Sequence, residues 1–185
     1  DPTATAFVTV WPADQSRPTV SNINTVAGTT VPNLVVVRLP TSGGSVGSIN
    51  LYNAAGNTHL LVDVLGYFTT GGGSVTGATP TRVYDTRPGR NPLVPQETRT
   101  VSTGVLGATS VIVNITAVDP TATGYLTVFP GDGTRPLDAS SVNFYAGRTS
   151  PNLVVVKTAD DGTIKIYNSA GNTQLLVDVV GRFDS

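Results

Sequence analysis

A stretch of sequence that occurs twice is the feature that most constrains the fold of this chain. Asp-Pro-Thr-Ala-Thr opens the chain at residues 1–5 and returns at 119–123. Further matching strings follow in the same order, at residues 7–12 and 125–130, 32–37 and 151–156, and 60–64 and 175–179. Self-similarity of this length indicates one structural unit used twice. Whatever both copies keep is needed by the fold or by a shared site.

The middle of the chain has no counterpart in the first copy. Gly71-Gly72-Gly73-Ser74 is typical of a flexible linker, and residues 79–118 carry apolar stretches that occur once. We therefore predict three parts: an incomplete first copy of the repeat at residues 1–70, a Gly-rich linker at 71–78, and a complete second unit at 79–185.

Composition and alternation together predict an all-β chain. The 185 residues include 20 Gly and 13 Pro, and only 12% are charged, which is typical of short strands and tight turns. No helical period lasts more than one turn, whereas apolar and polar residues alternate in short stretches. The predicted strands lie at residues 7–11, 33–39, 49–53 and 60–65, at their counterparts in the second copy, and near 82–85, 99–101 and 110–117. A complete unit then has about eight strands, which favours an antiparallel β-sandwich of jelly-roll or Greek-key type.

The first copy lacks the opening third that the second unit has. A sheet without its partner strands exposes an apolar face and unpaired edges. The middle segment could complete the first copy, or the second copy, or both halves could pack around it; residue 1 could equally be an arbitrary or proteolytic boundary. Either of the first two arrangements leaves an open half that another chain could complete by strand donation. Such head-to-tail contacts can build open filaments.

Charge and residue usage exclude several classes of function. A formal net charge of −1 offers no electrostatic footprint for nucleic acid or an anionic membrane. The absence of Cys and the single His argue against thiolate chemistry and histidine-rich metal centres. No apolar run is long enough to span a membrane, and no nucleotide-binding loop or nucleophile elbow occurs. We predict no enzyme activity, no catalytic residue, no metal and no cofactor.

Two aromatic-Pro loops are candidate ligand sites. Trp11 with Arg17, and Phe129 with Arg135, keep an aromatic residue and an arginine a short loop apart in both copies. An exposed aromatic ring beside an arginine could stack a sugar, although an aromatic residue in an alternating strand is more often part of the core. A third candidate is the polar cluster of Asp85 and Arg87 after a strand, which could equally brace a turn.

Asp63 and Asp178 stand at the same place in the two copies, inside the apolar string Leu-Leu-Val-Asp-Val. A carboxylate in such a strand must be exposed or paired. We interpret both as structural residues, held by backbone donors or by an arginine fork. The arginines considered are Arg17, Arg82, Arg87 and Arg135. His59 is replaced by Gln174 in the second copy, which favours a solvent-facing strand position.

The strings that carry a resemblance run through nearly the whole chain. They are residues 82–89, 113–117, 124–130, 151–156 and 176–183. They resemble a tandem β-rich repeat of about 118 residues in secreted and surface proteins of actinobacteria and other soil bacteria. That repeat usually ends in Gly-Tyr-Phe, which Gly66-Tyr67-Phe68 matches and Gly181-Arg182-Phe183 does not. The resemblance implies an extracellular or cell-surface location and supplies no reaction.

Two hypotheses of function follow from the sequence. The first is an extracellular structural or adhesive β-sandwich repeat of a bacterial surface, self-assembling head-to-tail by strand complementation, with its own copies or neighbouring repeats as partners. The second is a carbohydrate-binding module of a secreted protein, with a cell-surface glycan as partner. The repeat and the unfinished half-unit favour the first, and the aromatic-Pro loops favour the second.

Overall fold

The chain forms β-strands and no helix within residues 1–68 and 74–184, which the computed structural model describes. The strands are β1 (Ala6–Pro12), β2 (Ile23–Thr25), β3 (Ile49–Asn53), β4 (Val75–Asp85), β5 (Thr98–Ser102), β6 (Ala108–Val118), β7 (Gly124–Pro130), β8 (Val142–Phe144), β9 (Ser150–Lys157), β10 (Thr163–Asn168) and β11 (Gln174–Asp184). They belong to two compact units, Asp1–Val62 and Asp63–Ser185.

The second unit is a β-sandwich. One sheet has the strand order β5-β10-β7-β8 and the other β4-β11-β6-β9, and all neighbouring strands are antiparallel. Alternate residues of both sheets turn inward and share one buried core, as the period of two in a strand requires. The core includes Val111, Val113, Ile115, Leu126, Phe144, Ile164, Ile166, Leu175 and Val177. The prediction of an all-β antiparallel sandwich is confirmed.

The first unit contains one sheet, in the order β2-β1-β3. Its register matches that of β8-β7-β10 position for position. Val8 lies opposite Asn53, and their counterparts Leu126 and Asn168 lie opposite each other. Of the strands predicted in the first copy, those at residues 7–11 and 49–53 are therefore present.

The predicted strands at residues 33–39 and 60–65 are not formed. Within the described ranges, residues 31–38 and 59–68 enter no β-ladder; we call them the two unpaired segments. The second unit shows why. The counterpart of residues 31–38 is β9, which pairs with β6, and the counterpart of residues 59–68 is β11, which pairs with β4 and β6. Residues 1–68 contain no counterpart of β4 or β6, so within the described chain the two segments have no such strand to pair with.

The boundaries between parts differ in detail from the sequence prediction. β4 begins at Val75, so residues 75–78 of the predicted linker are strand, while Gly71–Gly73 lie outside the described residues. Asp63–Phe68 fall in the second compact unit, although the sequence repeat places them in the first copy. There the ring of Phe68 lies 5.4 Å from the ring of Phe183.

A matched pair of substitutions tests this difference between the copies. Val179 is 6% exposed, whereas its counterpart Val64 is 83% exposed. We expect Val179→Ala to lower the free energy of unfolding by about 2 kcal/mol, because it removes buried methyl groups and leaves a cavity. Val64→Ala should change it by less than about 0.5 kcal/mol. Denaturant unfolding of both variants measures this, and equal losses would contradict the fold.

Candidate functional site

The opening third of the second unit, residues 74–118, docks onto its closing part, residues 119–184, through a central strand. β6 lies between β11 and β9, with Val113 opposite both Val179 and Val154. β4 then adds to the far side of β11, and β5 adds to β10 in the other sheet. Both sheets of the sandwich are therefore completed by one contiguous segment of the chain.

A bidentate ion pair fixes the position of β4 on β11. The Arg82 Nε donates to Asp178 Oδ1 at 2.8 Å, and its Nη2 donates to Asp178 Oδ2 at 3.0 Å. The two residues are also opposite each other in the ladder. The hydrogen bond to Asp178 is the main cause that raises the pKa of the Arg82 guanidinium. Of the arginines considered from the sequence, Arg82 is thus the one that holds Asp178. The fork geometry gives this contact direction as well as charge.

Three further contacts hold the opening third at its turns. Thr86 Oγ1 donates to the Gln174 side chain and accepts from the Leu175 amide at 2.8 Å. The fully buried Leu93 exchanges two backbone hydrogen bonds with Thr173, each 2.9 Å long. The Asn168 side chain donates to the carbonyls of Leu93 and Val94 at 3.2 and 3.1 Å. Because the opening third supplies one side of each contact, these contacts mark the docking surface.

The first copy keeps most of the residues that contact the opening third in the second unit. Asp63 corresponds to Asp178, and no described residue forms an ion pair or a side-chain hydrogen bond with it. Apolar neighbours of Asp63 are open to solvent: Val62 is 57% and Leu61 89% exposed, whereas Val177 and Leu176 are 0% and 7% exposed. His59, which replaces Gln174, is exposed as well.

Both unpaired segments start from anchors that the second unit also has. The Asn33 side chain donates to Asn22 O at 2.7 Å, as Asn152 does to Ser141 O at 2.7 Å. The Asn57 amide donates to Thr3 Oγ1 at 2.9 Å, as the Asn172 amide does to Thr121 Oγ1 at 2.8 Å. These asparagines therefore serve local geometry in both copies. The two segments follow the strands of the sheet β2-β1-β3 at the same points of the repeat at which β9 and β11 follow the strands of the sheet β5-β10-β7-β8.

In both copies, only glycine fits the position directly before the anchoring Asn57 or Asn172. Gly56 has a φ of 66° and Gly171 a φ of 62°. A Cβ at Gly56 would stand 2.8 Å from Ala4 Cβ, and one at Gly171 would stand 2.7 Å from the Ala122 amide nitrogen. Positive φ and close approach both require glycine at this turn.

The arginines of the two aromatic-Pro loops lie over tyrosine rings. The Arg17 guanidinium lies 3.7 Å from the centroid of the Tyr52 ring, and Arg135 lies 3.9 Å from that of Tyr167. The Trp11 indole donates to Gln15 O at 3.0 Å. Phe129 is 4% exposed, so its ring offers little surface to a ligand.

The tyrosines are functional candidates that the sequence reasoning passed over. Tyr52 and Tyr167 stand at the same position of the repeat, and each ring also lies near a second aromatic ring: Phe7 at 6.2 Å and Tyr125 at 6.4 Å. The Tyr-Asn pair kept in both copies was the signal that could have identified them. A cation over an aromatic face is attracted by the ring quadrupole.

Asp85 and Arg87 brace the turn after β4. The Arg87 Nε and backbone amide each donate to Asp85 Oδ1 at 3.0 Å, and its Nη2 donates to Oδ2 at 2.7 Å. The hydrogen bonds from Arg87 lower the pKa of the Asp85 carboxyl to about 2. The charged groups of Asp85 and Arg87 are therefore already paired with each other.

The Asp85 carboxyl gives a pH-dependent prediction. Its pKa is depressed in the folded chain, so its contribution to stability is present above the ordinary value of 3.8 and is lost as the pH falls through about 2. We expect NMR of the side-chain carboxyl to show a titration midpoint near 2, and Arg87→Ala to raise it toward 3.8. A midpoint that Arg87→Ala leaves unchanged would contradict the assigned cause.

Other kinds of site find no support in the described part of the chain. No three His, Asp or Glu side chains within it lie close enough together to hold a metal ion. No helix long and apolar enough to cross a membrane occurs among the described residues.

Comparison with known proteins identifies no family for this chain. A scan against protein-family models finds no match, and no curated protein matches the sequence significantly.

Proposed function

We propose that the protein is a structural or adhesive β-sandwich repeat of an extracellular bacterial surface, whose units join head-to-tail by strand complementation. One observation carries this proposal. The first copy builds the same three-stranded register as the second, yet its two unpaired segments lack the strands that pair with their counterparts β9 and β11. The extracellular location rests on the resemblance to secreted tandem repeats.

The exposed residues of the unpaired segments support a role in association. A run of solvent-exposed Leu and Val in sequences with strand alternation is unfavourable for an isolated unit, and unpaired strands are templates for another chain. The exposed large hydrophobic residues of the two segments are Val31, Val36, Leu60, Leu61, Val62, Val64, Leu65, Tyr67 and Phe68. Strand addition satisfies the backbone through ladder hydrogen bonds and buries alternate side chains. A donor on one unit and an acceptor on the next make a head-to-tail contact, which can propagate.

The assembly state of the 185-residue chain tests this proposal. We expect concentration-dependent association by light scattering, ordered assemblies by negative-stain imaging, and binding of an apolar dye to the exposed segments. Replacing Leu61 and Val64 by Ser should reduce both association and dye binding, because these side chains are the most exposed of the Leu and Val in residues 59–68. Ser in place of Leu106, an exposed residue of the second unit, is the matched control. A compact monomer that binds no dye at any concentration would overturn the proposal.

A carbohydrate-binding module is the second candidate. The observation that favours it is the stack of an arginine on a tyrosine at the same position of both copies. Aromatic rings beside polar side chains are a means of holding a sugar ring.

A glycan array distinguishes the two candidates. On the structural proposal, neither the chain nor its Trp11→Ala and Tyr52→Ala variants gives a signal above background. A glycan signal that Trp11→Ala or Tyr52→Ala abolishes would favour carbohydrate binding. Lys165→Ala, on the same strand as the second stack, controls for non-specific loss of binding.

A further inference from the structure

We propose that the outer face of the sheet β4-β11-β6-β9, the face turned away from the core, is a contact surface for the same face of a second copy of the chain. The strands of this sheet all belong to the second compact unit. The inference goes beyond the head-to-tail contact of the proposed function, because it joins chains side by side. The large apolar residues of the face, which we call the outer patch, are Ile112, Leu153, Val155, Val180 and Phe183.

The outer patch spans the three strands β9, β6 and β11. Alternate residues of β6 and β9 face the core, so Ile112, Leu153 and Val155 turn to the opposite side. Ile112 lies opposite Val155 on β9 and opposite Gly181 on β11. Val180 stands beside Gly181 in a bulge of β11. Leu153 is 39% exposed, and the other members of the patch are partly exposed.

The outer face of the other sheet has the pattern of a solvated face. In β10, the buried Ile164 and Ile166 alternate with Lys165 and Tyr167. A loop of the same unit also lies against that face, where Arg135 stacks on the Tyr167 ring. A clean alternation of apolar and polar residues is typical of an antiparallel sheet with one solvated face.

The strands of the outer patch show a different pattern. Residues 111–113 of β6, 153–156 of β9 and 175–177 of β11 are apolar at successive positions. Near-continuous apolar runs are typical of strands that are buried on both faces. Because Leu153 is still 39% exposed, a partner that covers this face would remove apolar surface from water.

The ring contact at the end of this face joins corresponding residues of the two copies. Phe183 lies opposite Ser110, on the same side of the sheet as Ile112. Its ring lies 5.4 Å from that of Phe68, which is its counterpart in the repeat. In an isologous contact the same surface meets itself, so corresponding residues come together. The pairing of Phe68 with Phe183 therefore favours a second copy of this face as the partner.

The charges of the face also favour a neutral partner. Arg82 forms its fork with Asp178, and Arg87 pairs with Asp85, so these charges are balanced within the face. Lys157, at the end of β9, forms no ion pair with another described residue. One lysine at a corner gives no field that would select a strongly charged partner. A second copy brings a face with the same balance.

The size of the face sets the expected strength of the contact. Four strands at ordinary spacing and rise cover on the order of 500 Å². Two such faces bury about 1,000 Å² in total, which is at the low end for a specific interface. We therefore expect a weak dimer that depends on protein concentration. Several units joined in a row would strengthen the side-by-side contact, because each further contact is then intramolecular.

Footprinting of the unmodified chain tests where the contact lies. We expect Leu153, Val155 and Phe183 to lose most of their reactivity toward hydroxyl radicals as the protein concentration rises, because the dimer covers them. Leu137, which is 77% exposed and lies in the loop between β7 and β8, should keep its reactivity. Reactivity of the patch that does not depend on concentration would overturn the inference. This includes a patch that is protected in the dilute monomer, because another part of the same chain would then cover it.

Charged variants of the full chain test the pairing of like faces. One variant combines Leu153→Glu with Val155→Glu, and the other combines Leu153→Lys with Val155→Lys. Each alone should dimerise about 10-fold more weakly or worse, since like charges then meet across the contact. An equimolar mixture should recover most of the association, because each negative face meets a positive one. Sedimentation velocity in a background of Leu61→Ser and Val64→Ser, which weakens head-to-tail association, measures the dimer.

Thr100→Glu is the matched control for these variants. Thr100 is an exposed residue opposite Lys165 on the outer face of the other sheet, so its substitution should leave the dissociation constant unchanged. Unaltered amide exchange in β6 verifies that the charged variants remain folded. A mixture that associates no better than either variant alone would overturn the pairing of like faces.

These measurements separate the failure of the inference from the failure of the proposed function. Association that the Leu61→Ser and Val64→Ser changes abolish, and that the charged variants of the outer patch leave unaltered, would support the head-to-tail contact and overturn the side-by-side one. Association that only the charged variants weaken would overturn the head-to-tail contact and leave this inference standing.

Discussion

The sheet β4-β11-β6-β9 depends on the pairing of β6 with both β9 and β11. β9 pairs with β6, and β11 pairs with β6 and β4, so removing the opening third leaves two strands that cannot pair with each other across the gap. The first copy shows this outcome in the same chain. The first copy keeps the sequences that correspond to β9 and β11 and keeps their anchoring asparagines. Neither of these two segments enters a ladder.

The sheet β2-β1-β3 forms without an opening third, because all three of its strands lie in the closing part of the repeat. β1 keeps its pairing with β2 and β3. Side-chain bonds add to it in both copies: Thr9 Oγ1 donates to Val20 O at 2.6 Å, as Thr127 does to Ala139 O at 2.8 Å. β5 is an edge strand on β10, so its absence removes one ladder without separating the remaining strands. The fold thus has one self-supporting sheet and one sheet that needs a contribution from the opening third.

Alternation in the sequence predicted the sandwich and most of its strands, but it could not predict whether a partner strand is supplied. An apolar-polar period reports which face of a strand can be buried. For residues 33–39 and 60–65 that information was insufficient, because strand formation depends on β6, which is distant in sequence. Nearness along the chain also could not show which ring lies under Arg17, because the neighbouring strand β3 brings Tyr52 there.

The place of the aspartate in the apolar string follows from this division of the fold. A slip of one residue turns every side chain of a strand to the other face, so the buried valines already exclude it. The Arg82 fork on Asp178 adds a charged contact that a slip of two residues, which keeps each side chain on its own face, would break. An exposed ion pair contributes little stability, so its value lies in selecting one alignment. Asp63 stands at the corresponding place in the first copy, where no residue of the described chain pairs with it.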